Sequence, residues 1–277
     1  MPSAVIEVKD IHFSYPAGVH AINGVSLTIS KGEKVAILGP NGSGKSTLIL
    51  LMAGLLTPQQ GEIKIFETKT TSKAFQSLRQ RIGLVFQDPD DQLFTPSVIE
   101  DIEYGPKNLR LPESDVKQRS MEVLSKIGIH HLKDRPPHRL SFGEKKKVSL
   151  ATALVLKPEL LILDEPTANL DLVSRRGLIG MLNELNSEGT TVVVSTHDVE
   201  ALPELANRVI VISRGAILGE GETAKVLQDL KLLGAAGLES PVIVKLFSEL
   251  KAAGIVEEVP ITLSAGLQKL CERLRKK

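Results

Sequence analysis

The chain has 277 residues, 42% hydrophobic and 24% charged, enough apolar material for one large core or two smaller ones. Its net charge of +1 gives no electrostatic reason to expect nucleic acid as the main partner. The lone Cys271 excludes an intramolecular disulfide and points to a reducing compartment.

In chain order, residues 1–7 lack the basic start and apolar core of a secretory leader. Residues 5–15 and 21–29 alternate as strands about a Pro-Ala-Gly turn at 16–18. Residues 34–38 form a buried strand and 47–53 a helix. The apolar run 48–56 is too short to cross a bilayer, so the expectation is a soluble chain able to dock on a membrane protein. Two short strands follow at 61–66 and 81–86. From Asp88 the character changes, and 95–104, 113–127 and 141–156 favour helix, with proline joints at 106, 112 and 136–137. Strand patterns return at 160–163 and 191–195 around a helix at 172–187, then continue at 208–213 and 216–220. The pattern predicts an α/β core interrupted by a mostly helical insert at about 88–155. A helical tail at 221–277 follows, with helical rhythm at 242–250 and no internal repeat.

The strongest local signal is at 39–47, Gly39, Pro40, Asn41, Gly42, Ser43, Gly44, Lys45, Ser46 and Thr47, which fits G-x-x-x-x-G-K-[ST] between a strand and a helix. Gly42 and Gly44 can take positive φ, so that several N–H groups converge on one anion at the positive end of the helix. Lys45 adds an ammonium and Ser46 a hydroxyl suited to Mg²⁺. The strand at 160–163 ends in Asp164 and Glu165. Asp164 suits Mg²⁺ through its water shell and Glu165 suits a general base, although an acidic turn cap is the plainer use of such a pair. His197, at the end of the next strand, can hydrogen-bond both Glu165 and a γ-phosphate. Ser141 and Gly143 open a helix, which makes a second anion site, while Ser141 and Glu144 also fit a capping box. One chain does not need two phosphate cradles; two chains set head to tail would use both.

With these elements in this order, the segment 5–220 resembles the ATP-binding cassette family. The resemblance implies a P-loop, RecA-like core with an N-terminal antiparallel β subdomain, a helical insert and a helical C-terminal extension, divided as 1–220 and 221–277. It implies ATP hydrolysis with Mg²⁺ by a dimer of identical or related chains. In it Tyr15 stacks on adenine, Gln87 meets Mg²⁺ and the attacking water, and Lys45, Glu165 and His197 serve hydrolysis. Ser141 and Gly143 reach the opposite subunit's γ-phosphate, and residues 168–171 cross the dimer seam. The sequence departs from the pattern at Phe142, where glycine is usual, and at Glu144, where glutamine is common.

Residues 88–94 and 97–106 resemble the ATPases of energy-coupling factor importers, including cobalt and nickel uptake ATPases, with Asp88 where asparagine is more usual. That implies a peripheral position at the cytoplasmic face of the membrane, a transmembrane scaffold subunit seated on the insert, and a substrate-binding membrane subunit. Asp90 and Asp91 are expected to cap a helix. The tail either meets its counterpart across a dimer or packs on its own core. The His130-His131 pair, the lysine run 145–147 and the basic end 273–277 read as surface. A cassette ATPase of DNA repair, chromosome maintenance or translation is the rival, but the coiled coil, duplicated cassette or strongly basic surface it would call for is not seen.

Overall fold

The computed structural model describes residues 3–16 and 18–275, so the turn expected at 16–18 and the basic end lie partly outside the described residues. Strands β1 (Ala4–Ser14), β2 (His20–Ser30), β4 (Gln60–Ile65) and β5 (Thr68–Lys69) form an antiparallel sheet in the order β2-β1-β4-β5. The short β5 was not expected. A second sheet has the order β10-β9-β3-β8-β7-β6, built from β3 (Lys34–Leu38), β6 (Ile82–Val85), β7 (Leu160–Asp164), β8 (Thr191–Thr196), β9 (Arg208–Ser213) and β10 (Ala216–Glu222). Only β10 in this sheet runs antiparallel, on its edge.

The apolar runs in β3, β7 and β8 are explained by burial on both faces, as a parallel sheet covered by helices requires. Side chains alternate along each strand, so each face feeds a different core. Leu160, Ile162 and Val193 join the side of helix α1 (Lys45–Met52), where Leu48, Leu51 and Met52 pack beneath the antiparallel sheet. Leu161, Leu163, Val192 and Val194 face the opposite core, shared with α4 (Phe142–Leu154) and α5 (Leu172–Ser187). Each fully buried Leu or Val stabilises the fold by about 1.5–3 kcal/mol relative to an exposed one.

Between β6 and β7 lie α2 (Val98–Asn108), α3 (Glu113–Ile127) and α4. Pro106, expected as a joint, is buried inside α2, near its C-terminal end. The helix tolerates it because only one donor is lost and Leu109 N–H still reaches Gly105 O at 3.1 Å. After β8 come α6 (Leu202–Leu205), then α7 (Thr223–Gln228), α8 (Leu230–Ala235), α9 (Val242–Ala252) and α10 (Leu263–Arg275). Helices α7 and α8 pack on the outer strands through Val226, Leu227 and Leu233, while α9 and α10 form a small core of their own around Val244 and Phe247.

Registers decide where chemistry can occur. Leu38 pairs with Thr196 and Ser195 with Asp164, so the carboxyl ends of β3, β8 and β7 align at one edge. That edge is where open α/β sheets bind ligands.

Candidate active site

The loop leaving β3 is pinned to this edge by Gly39 N–H, which donates to Thr196 O at 3.2 Å. It reaches α1 through Gly42 and Gly44, with φ of 76° and 102°. A Cβ at Gly44 would lie 2.4 Å from Ala21 O of β2, so no other residue fits there. The N-terminal turn of α1 opens into a cleft of about 380 Å³. Tyr15, Asn41, Gly42, Gly44, Lys45, Ser46, Thr47, Gln87 and Glu165 line it, so residues expected to serve one nucleotide meet in one place. Tyr15, just past β1, stands edge-on to Phe13 at 5.1 Å and its hydroxyl lies 3.3 Å from Thr47 Oγ1. Pro40 and Ser43 turn to the back of the loop, toward α8.

The buried Lys45 donates to Gly39 O at 2.9 Å and Pro40 O at 3.1 Å, and its Nζ lies 3.3 Å from Glu165 Oε1. Glu165 is itself buried and takes a φ of 45°, which turns it away from the line of β7. Its Oε2 lies 2.6 Å from His197 Nδ1. One carboxylate is thus held between an ammonium and an imidazole. The Glu165 N–H donates to Ser195 Oγ at 3.0 Å, and the same hydroxyl donates to Asp164. Ser195 therefore ties the Asp164 carboxylate to the Glu165 backbone. Its signal in the sequence is a polar Ser-Thr pair ending a valine run, a weak one because a buried serine there passes as filler.

Ser141 and Gly143 do not line this cleft. Ser141 is exposed at the N-terminus of α4, where the capping box forms. Its N–H and its hydroxyl each donate to Glu144 Oε2 at 2.8 Å, while Glu144 N–H approaches Ser141 Oγ at 3.4 Å. These hydrogen bonds from the Ser141 backbone and side chain hold the Glu144 carboxyl below its usual range. In residues 168–171, Asn169 takes a φ of 60° and Asp171 caps α5, accepting from Val173 and Ser174 N–H at 2.9 Å.

Two expectations are corrected. Asp88, not Asp90 or Asp91, caps the short turn Pro89–Asp91, accepting from Asp90 N–H at 2.9 Å, because Pro89 behind it fixes the turn. Asp90 pairs instead with Lys145 at 2.6 Å. The lysine run is not all surface either: Lys147 is exposed, but Lys146 is 4% exposed. Helical spacing places position 146 on one face with Phe142, Leu150 and Ala153, a signal that three consecutive lysines concealed. Burial pushes the Lys146 ammonium down to about 8, against the opposing pull of Asp164, Asp88 and Glu165.

Comparison with known proteins agrees with this geometry. Residues 22–168 match the family model described as ABC transporter. The chain is 42% identical over 272 residues to the energy-coupling factor transporter ATP-binding protein EcfA of Methanothermobacter thermautotrophicus, covering 98% of this chain and 88% of that one. It is 43% identical over 239 residues to EcfA of Methanocaldococcus jannaschii, covering 86% of each chain. Among solved structures, cbiO1 from Clostridium perfringens, part of the ABC transporter complex cbiONQ, superposes with a TM-score of 0.74 at 39% identity, covering 88% of this chain and 99% of that one. An ATP-binding cassette solved as a dimer with ADP and Pi has a TM-score of 0.72 at 29% identity, covering 79% and 98%.

Fold and site together define a P-loop ATPase. The chain belongs to the ABC transporter family, as an ATP-binding and ATP-hydrolysing subunit whose relatives serve energy-coupling factor transport. No helix among the described residues is long and apolar enough to cross a membrane.

Proposed function

We propose that this chain hydrolyses ATP as one half of a dimer and drives a transmembrane importer of the energy-coupling factor type, with a metal ion or a vitamin as cargo. In this reading residues 1–220 are the cassette, with the insert at 88–155, and 221–277 are an extension. The observation that carries the reading is the setting of Glu165 between Lys45 and His197 at the mouth of the glycine loop.

Lys45 is held now by the loop's own carbonyls and Glu165, and turns to the β- and γ-phosphates when they enter. Glu165, released from Lys45, takes the proton of the attacking water, and His197 keeps its carboxylate oriented. Tyr15 presents a ring for the base. Ser46, Gln87 and Asp164 offer hydroxyl, amide and carboxylate oxygens, a hard donor set that fits Mg²⁺, which would supply positive charge to the leaving phosphate oxygens. Lys45 and the loop N–H groups stabilise the charge that develops there.

The second chain is inferred from what the cleft lacks. Ser141 and Gly143 do not line it, and in this reading they complete it when they come from a partner, identical or related. The exposed Phe94 and Tyr104, edge-to-face at 4.8 Å, support the docking of a membrane scaffold subunit on the insert at the cytoplasmic face, with a substrate-binding membrane subunit beyond it. Glu165→Gln tests the chemistry: it should abolish turnover and trap an ATP-bound dimer, and normal hydrolysis would refute the assignment. Co-purification tests the setting: recovery with DNA or ribosomes and no membrane protein would refute transport.

A further inference from the structure

Lys146 is a buried cation that the proposed chemistry leaves without a task. From the first turns of α4 its ammonium donates to Phe86 O at 3.2 Å and to Gln87 O at 2.6 Å, two successive carbonyls just beyond β6. The Phe142 ring, in place of the glycine implied by the family pattern, has its centroid 5.8 Å from Nζ. The same stretch is stitched to α4 from its other side. Gln92 accepts from Phe86 N–H at 3.2 Å while its amide donates to Ser149 O at 2.9 Å and Thr152 Oγ1 at 2.7 Å. Beyond them, Lys145 holds Asp90. Gln87 is thus fixed through its backbone to the helix that carries Ser141, while its side chain stays exposed in the cleft.

We propose that Lys146 is a positioning residue for Gln87: one buried ammonium on two successive carbonyls makes the Gln87 segment and the first turn of α4 move as one piece. The amide read as meeting Mg²⁺ and the attacking water and the helix end offered to the partner are thereby placed together. The inference rests on the reading of Gln87 given above. Without the ammonium, both carbonyls lose a donor and the loop loosens, which displaces Gln87 while leaving the phosphate loop intact.

Lys146→Met and Lys146→Arg, compared with Gln87→Ala, test this in two ways. In nucleotide-free protein, amide exchange over residues 86–91 should rise at least roughly tenfold in Lys146→Met and stay near wild type in Lys146→Arg, which keeps the charge and the donors. In turnover, Lys146→Met should lower kcat roughly tenfold with KM for ATP changed less than about twofold, and Lys146→Arg should recover most of it. If Lys146→Met does not fold, Lys146→Leu, also neutral and without a donor, serves in the same comparison. Unchanged exchange at 86–91, or kcat and KM lost together with exchange raised throughout the chain, would overturn the proposal. A depressed Gln87→Ala beside a normal Lys146→Met would overturn the role of Lys146 alone. A normal Gln87→Ala would overturn the reading of Gln87 and the coupling with it.

Discussion

The two helix ends proposed to bind phosphate, the N-termini of α1 and α4, are built in opposite ways. At α1 the loop is anchored by strand ends, Lys45 and Glu165 are buried, and the charged groups hold one another. At α4 the end is exposed, and the Ser141 hydroxyl and N–H are both satisfied by its own Glu144. The first arrangement is preorganised, as the proposed catalytic cleft requires. The second is a self-capped terminus; in the proposed reading its donors pass to an incoming phosphate at the loss of two local hydrogen bonds, those from the Ser141 N–H and hydroxyl to Glu144. Within this chain the two do not share a cleft, which is the physical basis for assigning them to opposite sides of one composite site.

Substitutions can break that contrast. The largest effect belongs to the buried end: Glu165→Gln should lower kcat by roughly 10³-fold or more with ATP still bound, measured by phosphate release and nucleotide retention. Ser195→Ala removes the hydroxyl that serves both Asp164 and the Glu165 N–H. It should destabilise the fold by about 1–3 kcal/mol in denaturant titration and lower kcat more than it raises KM. At the exposed end, Glu144→Ala breaks the capping box and should destabilise by about 1 kcal/mol.

Glu144→Gln sharpens the comparison, since an amide keeps the cap but removes a negative charge from the place where the partner's γ-phosphate is to arrive. ATP-driven association should tighten severalfold at low salt, read by light scattering, and the gain should shrink as salt screens it. The stability that the Glu144 carboxylate contributes has a defined sign with pH. Its folded value is lowered, so the contribution is present above the unfolded range of about 4.3 and is lost as pH falls through the folded value. The difference between wild type and Glu144→Gln in thermal melts should therefore fade in acid.

Sequence patterns carried the site where a residue type is forced by backbone geometry or by position at a strand end. Gly44 is legible because nothing larger fits beside Ala21 O. Asp164 and Glu165 are legible because a polar pair abruptly ends an apolar strand. Ser195 and Lys146 were hidden by their neighbours, one within a buried polar-tipped strand and the other within a run of like charges. The expected end of helix α2 at residue 104 missed because a proline in a helix's last turns removes a single donor. The short β5 and helix α6 have four or fewer residues, too few for periodicity to register.

The central claim is that the cleft at Gly39–Thr47 is half of a site. Turnover per chain, measured across a dilution series with mass followed by light scattering, tests it most directly. The account predicts that turnover per chain collapses where the chain becomes monomeric and returns when partner chains are restored. Turnover per chain that stays constant into the fully monomeric range would contradict it.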